Sequence, residues 1–138
     1  MRIMAIDYGD ANTGIAVSDP TGFIAGFTTV IRAYTPEKAA AQIAALAEEH
    51  AAEELVLGHP LNMDGTLGER AEKAEALAVI LREYTGLPVV LWDERRTTID
   101  AHQILFNAGK NGKKRKKIVD AVAASLILEG YLTYRRGH

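Results

Sequence analysis

The fold is decided by residues 2–19, which read RIMAIDYGDANTGIAVSD. Residues 2–7 have the apolar pattern of a strand, residues 8–10 have the composition of a turn, and residues 13–18 form a second apolar stretch. Two strands joined by so short a connection run antiparallel. The sequence therefore predicts an opening hairpin with Asp7 at the carboxyl end of its first strand.

The rest of the chain changes from strand to helix spacing and back. A third strand is predicted at 23–31, and β-α-β-α units follow, with strands at 54–57 and 88–92. Right-handed crossovers place these last two strands beside the first and parallel to it. We therefore predict an α/β fold, one domain over 1–138, with a five-stranded mixed sheet of order 3-2-1-4-5 and helices on both faces. Four helices are predicted. The first is capped by Thr35 and ends near Ala51, and the second begins near Thr66. The third is capped by Thr97 or Thr98, and the last runs from about Lys116 to Tyr134.

Composition excludes several classes of protein. The chain has 138 residues, 48% hydrophobic and 25% charged, which is ordinary globular usage. No apolar run approaches the roughly 20 residues of a membrane-spanning helix. Cysteine is absent, so disulfides and thiolate metal sites are excluded, and a reducing cytoplasm is the expected location. The formal charge is −8 over residues 1–109 and +6 over residues 110–138, which indicates an anionic partner.

Acidic residues are predicted to meet at one edge of the sheet. Asp7 ends the first strand, and Asp93 and Glu94 follow the fifth. Because these strands are parallel, their carboxyl ends lie together, which is where open α/β sheets bind ligands. Gly9 gives access to the backbone beside Asp7. A turn role for Asp7 is the competing structural interpretation.

The last predicted helix supplies a third acid. Asp120 begins a stripe that is otherwise apolar and includes Ala124 and Ile127. Three carboxylates brought together repel one another unless a cation lies between them. Oxygen ligands without Cys or His favour Mg²⁺ or Mn²⁺, which activate a water and stabilise the leaving oxygen of a phosphodiester. The competing interpretation gives Asp120 only a favourable interaction with the helix dipole.

Polar and basic residues near these acids are candidates for substrate binding. They are Gly9, Asn62, Thr66, Arg70 and Arg95, and the run Lys113, Lys114, Arg115, Lys116 and Lys117. Arginine binds phosphate with two parallel hydrogen bonds, and a basic run binds a nucleic-acid backbone in a salt-dependent manner. Competing interpretations make Thr66 a helix cap, Arg95 an ion-pair partner of Asp93 or Asp100, and the run a solvated surface.

Four motifs together resemble one family. They are Asp7-Tyr8-Gly9 with Gly14–Asp19, the loop Gly58–Thr66, Trp92–Arg95 with Thr97-Thr98, and Asp120–Ala124 with Ile127-Leu128. In this order they resemble the YqgF family, which is RuvX-like and comprises pre-16S rRNA nucleases or Holliday-junction resolvases. The resemblance implies an RNase H-like fold and metal-dependent nuclease chemistry. It also implies that Asp7, Glu94 and Asp120 are the catalytic acids and metal ligands, with Glu94 chosen over Asp93.

We therefore expect an Mg²⁺- or Mn²⁺-dependent endonuclease that acts on structured nucleic acid. The resemblance implies 5′-end processing of pre-16S rRNA in ribosome biogenesis, or resolution of four-way DNA in recombination. Two other classes remain: a non-catalytic nucleic-acid-binding module, and a phosphotransferase, because Asp7 to Gly14 also resembles the phosphate-binding hairpin of actin-like ATPases and sugar kinases. The expected state is a monomer or a homodimer.

Overall fold

The computed structural model describes residues 1–22, 25–94 and 112–137, with residues 112–120 described by their backbone alone. Five strands and three helices lie in these ranges. The strands are β1 (Ile3–Asp7), β2 (Asn12–Ser18), β3 (Ala25–Arg32), β4 (Glu54–His59) and β5 (Val89–Asp93). The helices are α1 (Pro36–Glu49), α2 (Glu69–Thr85) and α3 (Gly112–Arg136).

The strands form one mixed sheet in the order β3-β2-β1-β4-β5, which confirms the predicted order. β1, β2 and β3 form an antiparallel meander, whereas β4 and β5 run parallel to β1. The carboxyl ends of β1, β3, β4 and β5 therefore lie along one side of the sheet, here called the carboxyl edge. This edge carries Asp7, Arg32, His59 and Asp93.

The two faces of the sheet bury different residues because side chains alternate along each strand. Met4 and Ile6 of β1 pack on the face covered by α1 and α2, together with Ile43 of α1 and Leu77 of α2. The opposite face, here called the α3 face, is covered by α3 within the described ranges. Its buried residues are Ile3, Ala5, Ala16, Val56 and Trp92 of the strands, and Ala124, Ile127, Leu128, Tyr131 and Leu132 of α3.

Local signals explain where α1 begins and where α2 ends. Thr35 caps α1 by accepting a hydrogen bond from the Lys38 N–H (3.2 Å), and Pro36 opens the helix, as predicted. Gly86 ends α2 in the left-handed region at φ 67°, which favours glycine. The predicted start of α2 near Thr66 is wrong, because α2 begins at Glu69 after the extended residue Gly68.

The long helix α3, in contrast, begins earlier than predicted. It begins at Gly112 rather than near Lys116 and ends at Arg136, so the basic run lies in its first two turns. The predicted helix capped by Thr97 or Thr98 lies outside the described residues, as does the predicted start of β3 at Phe23. Within the described ranges, no helix combines the length and the hydropathy that a bilayer crossing requires.

Candidate active site

Asp7 ends β1 on the α3 face of the sheet. It pairs with Gly14 of β2, and its side chain is half-buried. Because side chains alternate along a strand, Asp7 is on the same face as Ile3 and Ala5, which pack against α3. The turn after it is tight, because a side chain on Gly9 would collide with the carbonyl oxygen of Asn12. The turn itself therefore requires glycine at position 9. This explains the residue more simply than the prediction that Gly9 lets a ligand approach the backbone.

Glu94 lies directly over β4. A Cβ atom placed on Gly58 would stand 3.1 Å from the Glu94 carboxyl carbon, 3.3 Å from its Oε2 and 2.7 Å from Cδ1 of Ile127. Ile6 pairs with Leu57, so Gly58 is level with Asp7 on the neighbouring strand. The Glu94 carboxyl group therefore lies at the carboxyl edge, against α3 and on the same face as Asp7.

Alternation along β5 separates the two neighbouring acids. Trp92 packs on the α3 face, whereas Asp93 is the next strand residue and pairs in register with His59. Successive strand residues face opposite sides of a sheet, so Asp93 belongs to the face covered by α1 and α2. The position of the Glu94 carboxyl group over Gly58, on the α3 face, favours the choice of Glu94 made from the resemblance.

Burial and neighbouring charges act on Glu94 in opposite directions. Desolvation of this half-buried carboxyl is the largest effect and raises its pKa, and Asp93 raises the pKa further, while Arg70 and His59 lower it. Arg70, predicted to bind substrate, therefore lies near the carboxyl group of Glu94. His59 is also half-buried, with its Nε2 3.8 Å from Oε2 of Glu75.

The direction of α3 places Asp120 at the carboxyl edge. Tyr131 contacts Glu54 at the start of β4, and Ile127 contacts the position of Gly58 near its end. The helix therefore runs antiparallel to β4, and Asp120 precedes Ile127 by seven residues, about 10.5 Å of helix. The backbone that carries Asp120 thus lies on the carboxyl-edge side of Ile127, about two helical turns farther along.

The β4–α2 loop, residues 60–68, is held by its own hydrogen bonds. The Thr66 N–H and hydroxyl both donate to Asp64 Oδ1 (3.0 and 2.6 Å), and the Asn62 amide donates to Thr66 Oγ1 (3.0 Å). The Asn62 side chain also lies 3.2 Å from the point where a Cβ of Gly68 would stand. Asn62 and Thr66, both predicted to bind substrate, therefore fix the shape of this loop.

A surface ion cluster joins α2 to the turn after Asp7. Lys73 Nζ lies 3.2 Å from Asp10 Oδ1 and 3.3 Å from Glu69 Oε1. Hydrogen bonds to Asp10 and Glu69 raise the pKa of Lys73. Exposed ion pairs of this kind contribute little to the free energy of unfolding.

Some predicted site residues lie outside what the structure describes, and one basic residue at the edge was missed. Arg95 and the side chains of Asp120 and Lys113–Lys117 lie outside the described part. Arg32 was not predicted, although it ends β3 at the carboxyl edge. Only the register of β3 against β2 reveals its place, and a single sequence carries no clear signal for a register.

The donor set at this edge fits a hard divalent cation. Asp7 and Glu94 supply carboxylate oxygens on one face, and such oxygens are the ligands that Mg²⁺ and Mn²⁺ prefer. Among the described side chains, no three acidic, His or Cys residues cluster as a metal site. The third predicted ligand, Asp120, is not among those side chains, so the predicted set of three remains a prediction.

Solved structures identify the fold. *Thermus thermophilus* RuvC in complex with a Holliday junction substrate matches with a TM-score of 0.65 and 13% identity over 99% of this chain and 96% of that chain. The fowlpox virus resolvase in complex with Holliday junction DNA matches with a TM-score of 0.57 and 10% identity over 98% of this chain and 99% of that chain. The fold is therefore RNase H-like, of the kind found in resolvases.

The sequence comparison narrows this class to a family. The model of the RuvX family, described as Holliday junction resolvase, matches residues 1–134, and the chain belongs to this family. A protein of *Halothermothrix orenii* named "Putative pre-16S rRNA nuclease" is 45% identical over 135 residues, which is 98% of this chain and 96% of that protein. The resemblance expected from the four motifs is confirmed, and it favours a nuclease over a phosphotransferase.

Proposed function

We propose that this protein is a single-domain, metal-dependent endonuclease that hydrolyses phosphodiester bonds in structured nucleic acid. The observation that carries the proposal is the position of the Glu94 carboxyl group, which lies over Gly58 on the face and at the edge that carry Asp7. Membership of the RuvX family supports the same reaction class. The acidic residues are far apart in sequence, and the parallel arrangement of β1, β4 and β5 brings two of them together.

In this mechanism Asp7, Glu94 and Asp120 would hold Mg²⁺ or Mn²⁺, whose chemistry when bound would be to activate a water and to stabilise the leaving oxygen of the phosphodiester. Arg70 lies near Glu94 and provides a positive charge for the substrate phosphate. Arg95 and the basic run Lys113–Lys117 position the strand, and the β4–α2 loop keeps a fixed shape beside the site.

The substrate we propose is pre-16S rRNA, cut at its 5′ end during ribosome biogenesis in the cytoplasm. The name of the *Halothermothrix orenii* relative supports this choice. Four-way DNA is the second candidate, supported by the description of the family model. Resolution of a junction needs two active sites on opposing strands and hence a dimer, whereas cleavage of one RNA strand does not.

Cleavage of both candidate substrates by the purified protein, with and without Mg²⁺, tests the proposal. We expect metal-dependent cleavage and a loss of about a thousand-fold in Asp7→Asn and Asp120→Asn, because the cation contributes several kcal/mol to the transition state. Cleavage that persists without metal, or full activity in these variants, contradicts the mechanism. Salt-dependent binding without cleavage of either substrate favours the non-catalytic module.

A further inference from the structure

Tyr34 is an exposed aromatic residue on a firmly held segment. Its side chain is 66% exposed, whereas Ala33 beside it is buried and donates its N–H to the Ala11 carbonyl (3.0 Å). On the other side, Thr35 caps α1. Tyr34 is thus held between two anchored residues, and its exposure does not result from a loose loop.

Arg32 lies on the face and at the edge of the candidate active site. Asp7 pairs with Gly14, Gly14 with Val30, and Arg32 lies two residues beyond Val30, opposite Asn12. Paired residues, and residues two apart along a strand, share a face. Arg32 is therefore on the α3 face, and strand spacing puts its Cα about 12 Å from that of Asp7.

The two side chains form one surface. The Arg32 guanidinium carbon lies 5.8 Å from the centroid of the Tyr34 ring, within the range of a cation–π contact. The Gln42 side chain donates to the Arg32 carbonyl (2.9 Å) and holds the backbone beneath the pair. An exposed ring beside a cation matches the chemistry of a nucleotide, in which a base stacks on the ring and a phosphate meets the guanidinium.

We propose that Arg32 and Tyr34 form a subsite for an unpaired nucleotide, three or four stacked nucleotides from the bond that is cut. This inference rests on the proposed function and deepens it, because it names the form of substrate. A base inside a duplex presents only its edges, whereas an unpaired base exposes the face that stacks on tyrosine. The protein therefore prefers substrates with an unpaired nucleotide three or four nucleotides from the cleavage site, in RNA or in DNA.

The test measures binding without cleavage, by fluorescence anisotropy of labelled hairpins in metal-free buffer. One hairpin carries a short unpaired tail and its partner has the same stem with a blunt end, each made in RNA and in DNA. The variants are Tyr34→Ala, Tyr34→Phe and Arg32→Gln. Tyr84→Ala is the matched control, because Tyr84 is 49% exposed near the end of α2, away from the carboxyl edge.

We expect Tyr34→Ala to weaken binding of the tailed hairpin about ten-fold, and Tyr34→Phe and Tyr84→Ala to stay within about two-fold of the unmodified protein. Arg32→Gln is expected to weaken binding of the tailed hairpin and to lower the salt dependence of that binding. The RNA and DNA arms show which strand the subsite accepts. Equal binding of tailed and blunt hairpins, or equal losses in Tyr34→Ala and Tyr84→Ala, overturns the inference. Cleavage by Asp7→Asn refutes the proposed function instead and leaves this binding result standing.

Discussion

The carboxyl carbon of Glu94 lies 3.1 Å from the point where a Cβ atom would stand on Gly58. Gly58 lies near the end of β4, which pairs with β1 and β5, and has no positive φ, so backbone conformation does not require glycine there. Glycine inside a strand weakens it and often marks a close approach of another group. The approaching groups here are the carboxyl group of Glu94, itself a proposed metal ligand, and the side chain of Ile127, which lies on the same helix as Asp120.

Replacing Gly58 with alanine is therefore expected to displace Glu94 while leaving the fold intact. We expect Mn²⁺ binding in Gly58→Ala to weaken at least ten-fold, the usual cost of disturbing groups that hold a metal ligand. The melting temperature falls by a few degrees, because the added methyl group forces the buried Ile127 side chain to repack. Titration calorimetry with Mn²⁺ and thermal melting measure the two effects.

Two variants control this experiment. Gly130→Ala adds a methyl group to α3 at 3.4 Å from Trp92, an ordinary contact distance, and should bind Mn²⁺ normally. Gly58→Ala combined with Ile127→Val removes the 2.7 Å clash with Cδ1 but not the contact with Glu94. Normal Mn²⁺ affinity in Gly58→Ala itself would show that Gly58 does not position the carboxyl group.

The neighbouring acids Asp93 and Glu94 are predicted to differ in function because they face opposite sides of the sheet. We expect Glu94→Gln to reduce single-turnover cleavage about a thousand-fold and Asp93→Asn to remain within a few-fold of the unmodified protein. Each change removes one charge and preserves shape, so the pair is matched. The reverse order of effects would assign the ligand to Asp93.

The basic run divides into two groups because it is helical. At 100° per residue, Lys113, Lys116 and Lys117 share the stripe of Asp120, whereas Lys114 and Arg115 do not. Changing Lys116 and Lys117 to alanine should reduce cleavage about ten-fold more than changing Lys114 and Arg115, although each pair removes two charges. Cleavage rates over a salt series check this, and each lost phosphate contact lowers the salt slope by about one. Equal losses would mean that the run acts only through net charge.

Tyr131 makes the free energy of unfolding depend on pH in the alkaline range. Desolvation, then the hydrogen bond to Glu54, raises its pKa to about 12, above the usual 10. The folded state therefore favours the neutral phenol. The contribution of Tyr131 to the free energy of unfolding is complete below pH 10 and is lost as the pH rises from about 10 to about 12. Tyr131→Phe should be about 1 kcal/mol less stable at pH 9, and the difference should shrink by pH 11. Urea unfolding at both pH values measures it, and a constant difference contradicts the assignment.

Periodicity and turn composition were sufficient to predict the sheet, because each strand has a short connection or a single crossover helix. The prediction that α2 begins near Thr66 is wrong because Thr66 resembles a helix cap. Its hydroxyl instead donates to Asp64 and stabilises the β4–α2 loop. The start of α3 was placed too late because a basic run with glycines resembles a loop. The place of Arg32 depends on strand register, and the approach of Glu94 to Gly58 depends on packing, neither of which a single sequence specifies.

The dependence of one sheet face on α3 has a consequence during translation. Ile3, Ala5, Ala16, Val56 and Trp92 are covered by this helix, which begins only at Gly112. A nascent chain whose α3 segment is still inside the ribosome exposes that apolar surface and does not yet present Asp120. The segment that forms α3 must therefore emerge before this face is covered, and a product truncated before Gly112 should be a target for chaperones and proteases.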